Sequence, residues 1–367
     1  MKSMMAKSVI ACGLSLLLAT AVSAQTSDWK KTWDETLAAG KREGKVVIIG
    51  SPDPVMRSDV IPAFTKRYGI KVEYIAGGSG QLAERVRTER GSGLYTTDVF
   101  MSGANTTLNT MMPAGMLDPI KPLLLLPEVT EAKNWKRGAP WFVDREGQYV
   151  LALFSTVDSF LIINAGVVKD LKTVQDILDP KWRGKISTQD PKLSGTGSNT
   201  AGYFYRELGP EFVRKLYVDQ KPVISSDRRQ MTDWLARGTY PICLSCRTDD
   251  IKDLVKDGFK LQEIYALPGI KERTIVGSPF LLSLANKAPN PNAARVFVNW
   301  MATKEAVEIY AVNFGAVPLR TDVDESQLNP ETIPRPGVAY ADDTDPDWIM
   351  TGRVEVAKKV RALLSAP

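Results

Sequence analysis

Lys45-Val-Val-Ile-Ile-Gly50 is a run in which apolar, mostly β-branched side chains follow one another without alternation. That is the pattern of a strand buried on both faces. A helix is read before it, over Trp29 to Arg42, with Gly44 as its stop. The run ends in the turn Ser51-Pro52-Asp53-Pro54, and Val60 to Tyr68 then reads as an amphipathic helix closed by Gly69. The same sequence of events follows twice more. Lys71 to Ala76 is a strand, Gly77-Gly78-Ser79-Gly80 a turn, and Gln81 to Arg90 a helix. Thr97 to Met101 is the third strand, with Ser102-Gly103-Ala104-Asn105 at its end. Strands alternating with helices, each strand followed by a polar Gly/Ser turn, predict a parallel α/β sheet. Ligands of such sheets gather beyond the carboxyl ends of the strands. Ser51, Asp53, Ser79, Gly80, Ser102 and Asn105 all fall there and are candidate ligand-binding residues.

The second half repeats the pattern. Tyr149 to Asn164 reads as two strand runs broken at Ser155 to Ser159, a passage from one lobe to the next, and Ser155 joins the candidates. Further on, Gly184 to Thr188 is a short strand. It runs into Gln189-Asp-Pro-Lys-Leu-Ser-Gly-Thr-Gly-Ser198 and then a helix opening on small polar residues. Ser194, Gly195, Thr196 and Gly197 would leave backbone N–H groups free at a helix N-terminus. Such an end carries about half a positive charge and suits anions. The alternative is an ordinary surface helix capped by Ser198, Asn199 or Thr200. Glu211 to Tyr217 and Asp227 to Arg237 are further helices, and Pro241 to Ser245 is a strand with Arg247 just beyond its end. Arg247 could pair bidentately with an oxyanion; its alternative is a surface pair with Asp249 or Asp250. Thr274 to Leu284 is a second strand-rich crossing, followed by helices over Asn292 to Met301 and Lys304 to Ala311. The result is two α/β lobes with a cleft, in which Phe154, Phe160, Tyr203 and Phe314 are candidate apolar walls.

The ends and the composition narrow the function. Lys2 and Lys7 precede an apolar run from Val9 to Val22, and Val22-Ser23-Ala24 offers a small-x-small cleavage pattern. This predicts a signal peptide over residues 1–24, too short to span a membrane, and export of a soluble chain to the periplasm. Losing those two lysines lowers the net charge from +5 to +3, too mild a balance for a nucleic-acid partner. Cys243 and Cys246 then remain, and in an oxidising compartment they could close a small disulfide; a redox-active pair is the alternative. The 367 residues include no histidine. That removes Ser-His-Asp and Cys-His catalysis, HExxH sites and every His-ligated metal centre. Lysine- and carboxylate-based enzymes stay open without a recognisable signature, so no enzyme, cofactor or metal is expected.

In this order and spacing, several stretches resemble a periplasmic solute-binding protein of an ABC importer. They are Gly44-Lys-Val-Val-Ile-Ile-Gly50, Phe64-Thr-Lys-Arg-Tyr-Gly-Ile-Lys-Val72, Ser79-Gly-Gln-Leu-Ala83 and Thr97-Asp-Val-Phe-Met101, then Asp179-Pro-Lys-Trp-Arg-Gly-Lys185, Gly238-Thr-Tyr-Pro-Ile242, Ala293-Ala-Arg-Val-Phe-Val-Asn-Trp300 and Gly315-Ala-Val-Pro-Leu-Arg320. Within that group the chain is similar to the ferric-iron, thiamine, polyamine and phosphorylated-solute branch. The resemblance implies the type II two-lobed periplasmic-binding-protein fold. Each lobe is then a mainly parallel sheet flanked by helices, and two hinge crossings join them. Lobe one would hold 28–155 plus 275–325, and lobe two 156–274 plus 326–367. It also implies a monomer that closes on one small solute and docks on an inner-membrane permease.

The ligand is read from departures. The iron-binding relatives use a tyrosine pair plus His or acidic ligands from lobe one; here the matching region is Leu244-Ser-Cys-Arg-Thr-Asp-Asp250, the His position falls at about Asp53 and the acidic one near Gly103. Tyr203 and Tyr205 lie roughly 200° apart around a helix, so at most one faces the cleft. A small organic anion, carboxylate or phosphorylated, is therefore expected, with ferric iron the alternative and an enzyme on the same fold a lesser one. A ligand-loaded partner of a sensor is a further possibility.

Overall fold

The computed structural model describes residues 28–193, 195–246, 248–277 and 279–365; the expected leader lies outside them. The chain divides into two compact units. The first holds the described residues of Met1–Leu153 together with Pro279–Phe314 and Pro318–Glu325; the second holds Phe154–Ser278, Gly315–Val317 and Ser326–Pro367. No helix among the described residues is long and apolar enough to cross a membrane.

The first unit is built on a seven-stranded sheet. Its order is Lys71–Ala76, Lys45–Gly50, Val99–Ser102, Leu281–Ala285, Val150–Ala152 and Trp141–Phe142, with Leu117–Asp118 also pairing Leu281–Ala285. The first three strands are parallel, while the pairings made by the centrally placed Leu281–Ala285, and the one beyond it, are antiparallel. Val46, Ile48 and Ile49 are fully enclosed, which is why Lys45–Gly50 shows no polar alternation. Helix Ile61–Tyr68 stops at Gly69, whose φ of 71° is the left-handed geometry of a C-terminal cap. Its Phe64 packs edge-on against Phe297 at 5.1 Å and tilted against Trp300 at 5.3 Å, both from helix Pro291–Met301.

A buried carboxylate ties this unit together. Asp98 is wholly enclosed and accepts the Val47 N–H at 2.7 Å, the Asn290 N–H at 2.7 Å and the Asn290 Nδ2–H at 2.9 Å. Burial raises its pKa above the ordinary carboxylate value, and the three donors oppose that rise. One side chain thus joins the central strand to the start of helix Pro291–Met301, nearly two hundred residues away in the chain.

The second unit carries a five-stranded sheet in the order Val223–Ile224, Ile186–Thr188, Ile242–Cys243, Leu161–Asn164, Leu261–Ile264. The first three strands are parallel and the last two antiparallel to their neighbours. A separate three-stranded sheet pairs Arg273–Val276 with Ser155–Asp158 and Ala341–Asp342. The stretch expected as a break between lobes is therefore itself a strand over Ser155–Asp158. Its polar sequence hid it, because its partner lies more than a hundred residues downstream. The helical backbone of Thr196–Arg214 is broken at Gly209, whose φ of 84° precedes Pro210, so the two helices read in sequence stand end to end, and helix Arg353–Ser365 packs on this stretch. Phe160, Tyr203 and Phe204 are buried in the core under these helices, and Phe154 is fully buried too. Phe154, Phe160 and Tyr203 are thus interior packing rather than exposed apolar walls.

Asp98→Ala strips three donors of their acceptor. Since each orphaned buried donor costs about 1–3 kcal/mol, we expect a loss of at least about 3 kcal/mol in a urea unfolding titration.

Candidate functional site

The first unit gathers its strand-end loops by register. Gly50 pairs with Ala76 on one side and Met101 on the other, so the loops beginning at Ser51, Gly77 and Gly103 leave the sheet at one level. The Gly77 N–H bonds the Gly50 carbonyl at 3.0 Å. Helix Ser79–Gly91 opens from this edge with Gly78 as its N-cap and no capping side chain. Its first N–H groups, at Ser79, Gly80 and Gln81, have no acceptor within the helix. Ser51 presents its carbonyl to the Tyr74 hydroxyl, which donates to it. Burial holds that phenol well above its ordinary pKa, with the Asp53 carboxylate adding to the effect and Arg57 opposing it. Tyr74 is therefore a neutral donor.

Three of the candidates here have structural work of their own. Asp53 is buried: Oδ1 accepts the Met56 N–H at 3.0 Å and Oδ2 accepts the Tyr310 hydroxyl at 2.8 Å. Its carboxylate caps one helix and anchors another. Ser102 is also buried, its hydroxyl 2.7 Å from that of Thr107. Asn105 Oδ1 accepts from Asn109 Nδ2 at 2.9 Å, one turn further along the same helix.

In the second unit the parallel strands again end together, Thr188 opposite Ile224 and Ser187 opposite Cys243. The Leu244 N–H bonds the Ser187 carbonyl at 3.0 Å and the Ser225 N–H bonds that of Thr188 at 3.1 Å. Helix Thr196–Arg214 begins at Gly195, which supplies no side-chain cap and whose φ of 147° suits glycine alone. The first helical bond runs from Asn199 N–H to Gly195 carbonyl at 3.0 Å, which leaves Thr196, Gly197 and Ser198 with N–H groups facing out of the helix end. Gly197 lies against the backbone at Gln189; a Cβ there would come within 2.5 Å of the Gln189 carbonyl oxygen. Ser194 and Arg247 lie outside the described residues. Ser155 belongs to the three-stranded sheet instead, its hydroxyl donating to the Ile275 carbonyl at 3.3 Å and its N–H to that of Val317 at 3.1 Å.

Two groups not singled out in the sequence reading complete these clusters. Ser245 accepts the Gln189 N–H at 2.8 Å and sits 2.9 Å from the Thr188 hydroxyl. It stands inside the small ring closed by the disulfide between Cys243 and Cys246. Arg57 is exposed in the first turn after Asp53, with its guanidinium carbon 5.6 Å from the centre of the Tyr74 ring. A cation in a helix's first turn is disfavoured by the dipole, and that misfit is legible in the sequence. A surface depression of about 700 Å³ lined by Arg67, Glu128, Lys304 and Glu305 lies elsewhere on this unit, and its Arg67 and Glu305 pair with each other at 2.7 Å.

Comparison with known proteins follows the fold. Residues 50–308 match the family described as bacterial extracellular solute-binding protein. A putative 2-aminoethylphosphonate-binding periplasmic protein of Salmonella paratyphi A is 21% identical over 280 residues, 72% of this chain and 74% of that one. Among solved structures, the periplasmic binding protein AfuA from Actinobacillus pleuropneumoniae, with fructose-6-phosphate bound, has a TM-score of 0.64 at 19% identity, covering 88% of this chain and 99% of its own. Apo ferric ion-binding protein A from Pasteurella haemolytica has a TM-score of 0.65 at 13% identity, covering 88% and 98%. These likenesses establish the type II two-lobed fold.

Ser245→Ala removes the acceptor for the Gln189 N–H and the partner of the Thr188 hydroxyl. We expect a stability loss of about 1–3 kcal/mol and faster hydrogen exchange at the Gln189 amide. Unchanged exchange there would show that Ser245 does not hold the loop.

Proposed function

The chain belongs to the bacterial extracellular solute-binding protein family, and from that premise we propose that its solute is a small organic anion, a carboxylate or phosphorylated compound. It is the solute-binding component of an ABC transporter; we further propose that it works as a monomer in the periplasm after cleavage behind Ala24, delivering to an inner-membrane permease. The observation that carries the anion reading is the pair of glycine-capped helix starts at carboxyl ends of parallel strands, Gly78 in one unit and Gly195 in the other. A helix N-terminus without a side-chain cap offers backbone N–H groups and partial positive charge to an oxyanion. Solute binding is then coupled to a population shift between two states of the chain.

Support comes also from the relatives. One is named for an aminophosphonate and one solved neighbour holds a sugar phosphate. Other neighbours bind iron, but three features here weigh against the metal. The chain has no histidine, the Asp53 carboxylate is committed to Met56 and Tyr310, and the Tyr203 hydroxyl donates to the Lys271 carbonyl. Burial holds the Tyr203 phenol well above its ordinary pKa, with the nearby Arg273 opposing, so it does not readily become a phenolate ligand.

The test is a thermal-shift and calorimetry panel of phosphonates, sugar phosphates, dicarboxylates and ferric ion. One anion class at a hundredfold excess over its Kd should stabilise the protein by about 2.7 kcal/mol. Tight ferric binding with a visible charge-transfer band, and no response to any anion, would overturn the reading.

A further inference from the structure

We propose that Arg57 is the cationic solute contact of the first unit, a role that rests on the anion reading above. Its surroundings carry the assignment. Arg57 is exposed, and no carboxylate among the described residues pairs with it, whereas Arg67, Arg85 and Arg87 of the same unit pair with Glu305, Glu89 and Glu84. Its guanidinium lies over the Tyr74 ring, 5.6 Å from the centroid, and the Tyr74 hydroxyl is bonded to the Ser51 carbonyl. The stack therefore stands at the strand-end edge from which helix Ser79–Gly91 opens.

The remaining observations concern its helix. Arg57 sits in the first turn after the Asp53 cap, where the helix dipole repels a cation. An unpaired cation held against the dipole by an aromatic face is a group whose partner is to arrive from solution. The planar fork of the guanidinium suits two oxygens of one carboxylate or phosphate, while the N–H groups at Ser79 to Gln81 can take the remaining oxygens.

The experiment measures binding of inorganic phosphate, glycerol 3-phosphate and malonate to the full chain by calorimetry, for the wild type, Arg57→Ala and Arg57→Lys. For whichever probe the wild type binds, Arg57→Ala should lower affinity at least tenfold and flatten its salt dependence. Arg57→Lys should recover part of the affinity, and the ligand-free melting temperature should stay the same in all three. Equal affinity in the wild type and Arg57→Ala overturns the assignment of Arg57 while leaving the anion reading standing. A wild type that binds none of the probes overturns both.

Discussion

Gly50 has no room for a side chain. A Cβ there would lie 2.5 Å from the Tyr74 hydroxyl and 3.0 Å from the Met101 carbonyl oxygen. That close approach lets the Tyr74 hydroxyl reach the Ser51 carbonyl, which fixes the first loop to the neighbouring strand and brings Arg57 over the same ring. The second unit depends on the same kind of contact. Gly197 lies on the Gln189 backbone, so the start of helix Thr196–Arg214 is pressed against the loop that precedes it. In both units, a glycine at van der Waals distance from backbone or hydroxyl sets where a helix start stands relative to the sheet edge.

Those starts need rigid support because backbone donors act only if they are already in place. The support differs in kind. In the first unit it is a carboxylate, Asp53, shared between the Met56 N–H and the Tyr310 hydroxyl, with Asp98 fastening the same strand at its other end. In the second it is a hydroxyl, Ser245, held within the Cys243–Cys246 ring and bonded to Gln189. The carboxylate near the first loops thus has one oxygen on the Met56 N–H and the other on the Tyr310 hydroxyl.

Much of the fold was legible because it rests on local signals. Apolar runs without alternation mark the enclosed strands, and Gly69 marks a helix end by the φ it must adopt. The strand Ser155–Asp158 was not legible, since its pairing with Arg273–Val276 spans more than a hundred residues and its face is half polar. For the candidate site, the sequence marked turns at strand ends but not the direction of the side chains in them. Ser102 turns inward to Thr107, five residues on, and Asp53 meets Tyr310 from the far end of the chain. Only the backbone groups at Gly80 and at Gly195 to Gly197 could be inferred without knowing orientation, because a helix start exposes its N–H groups whichever way the side chains face.

Backbone N–H groups alone make a selective but weakly charged site. Each helix start contributes about half a positive charge, spread over its first turn, and that field falls off quickly in water. A transport protein gains from this, because a ligand held by many partial charges can be released without breaking one strong ion pair. A single guanidinium added to such a frame changes the balance toward capture while leaving the hydrogen-bond geometry to the backbone. Stacking Arg57 on Tyr74 keeps that charge oriented at low entropic cost, and the neutral phenol beneath it offers no competing anion. In the proposed site the division of labour is physical: partial charges fixed by glycine-packed helix starts would set the shape that is accepted, and one full charge would set how strongly it is drawn in.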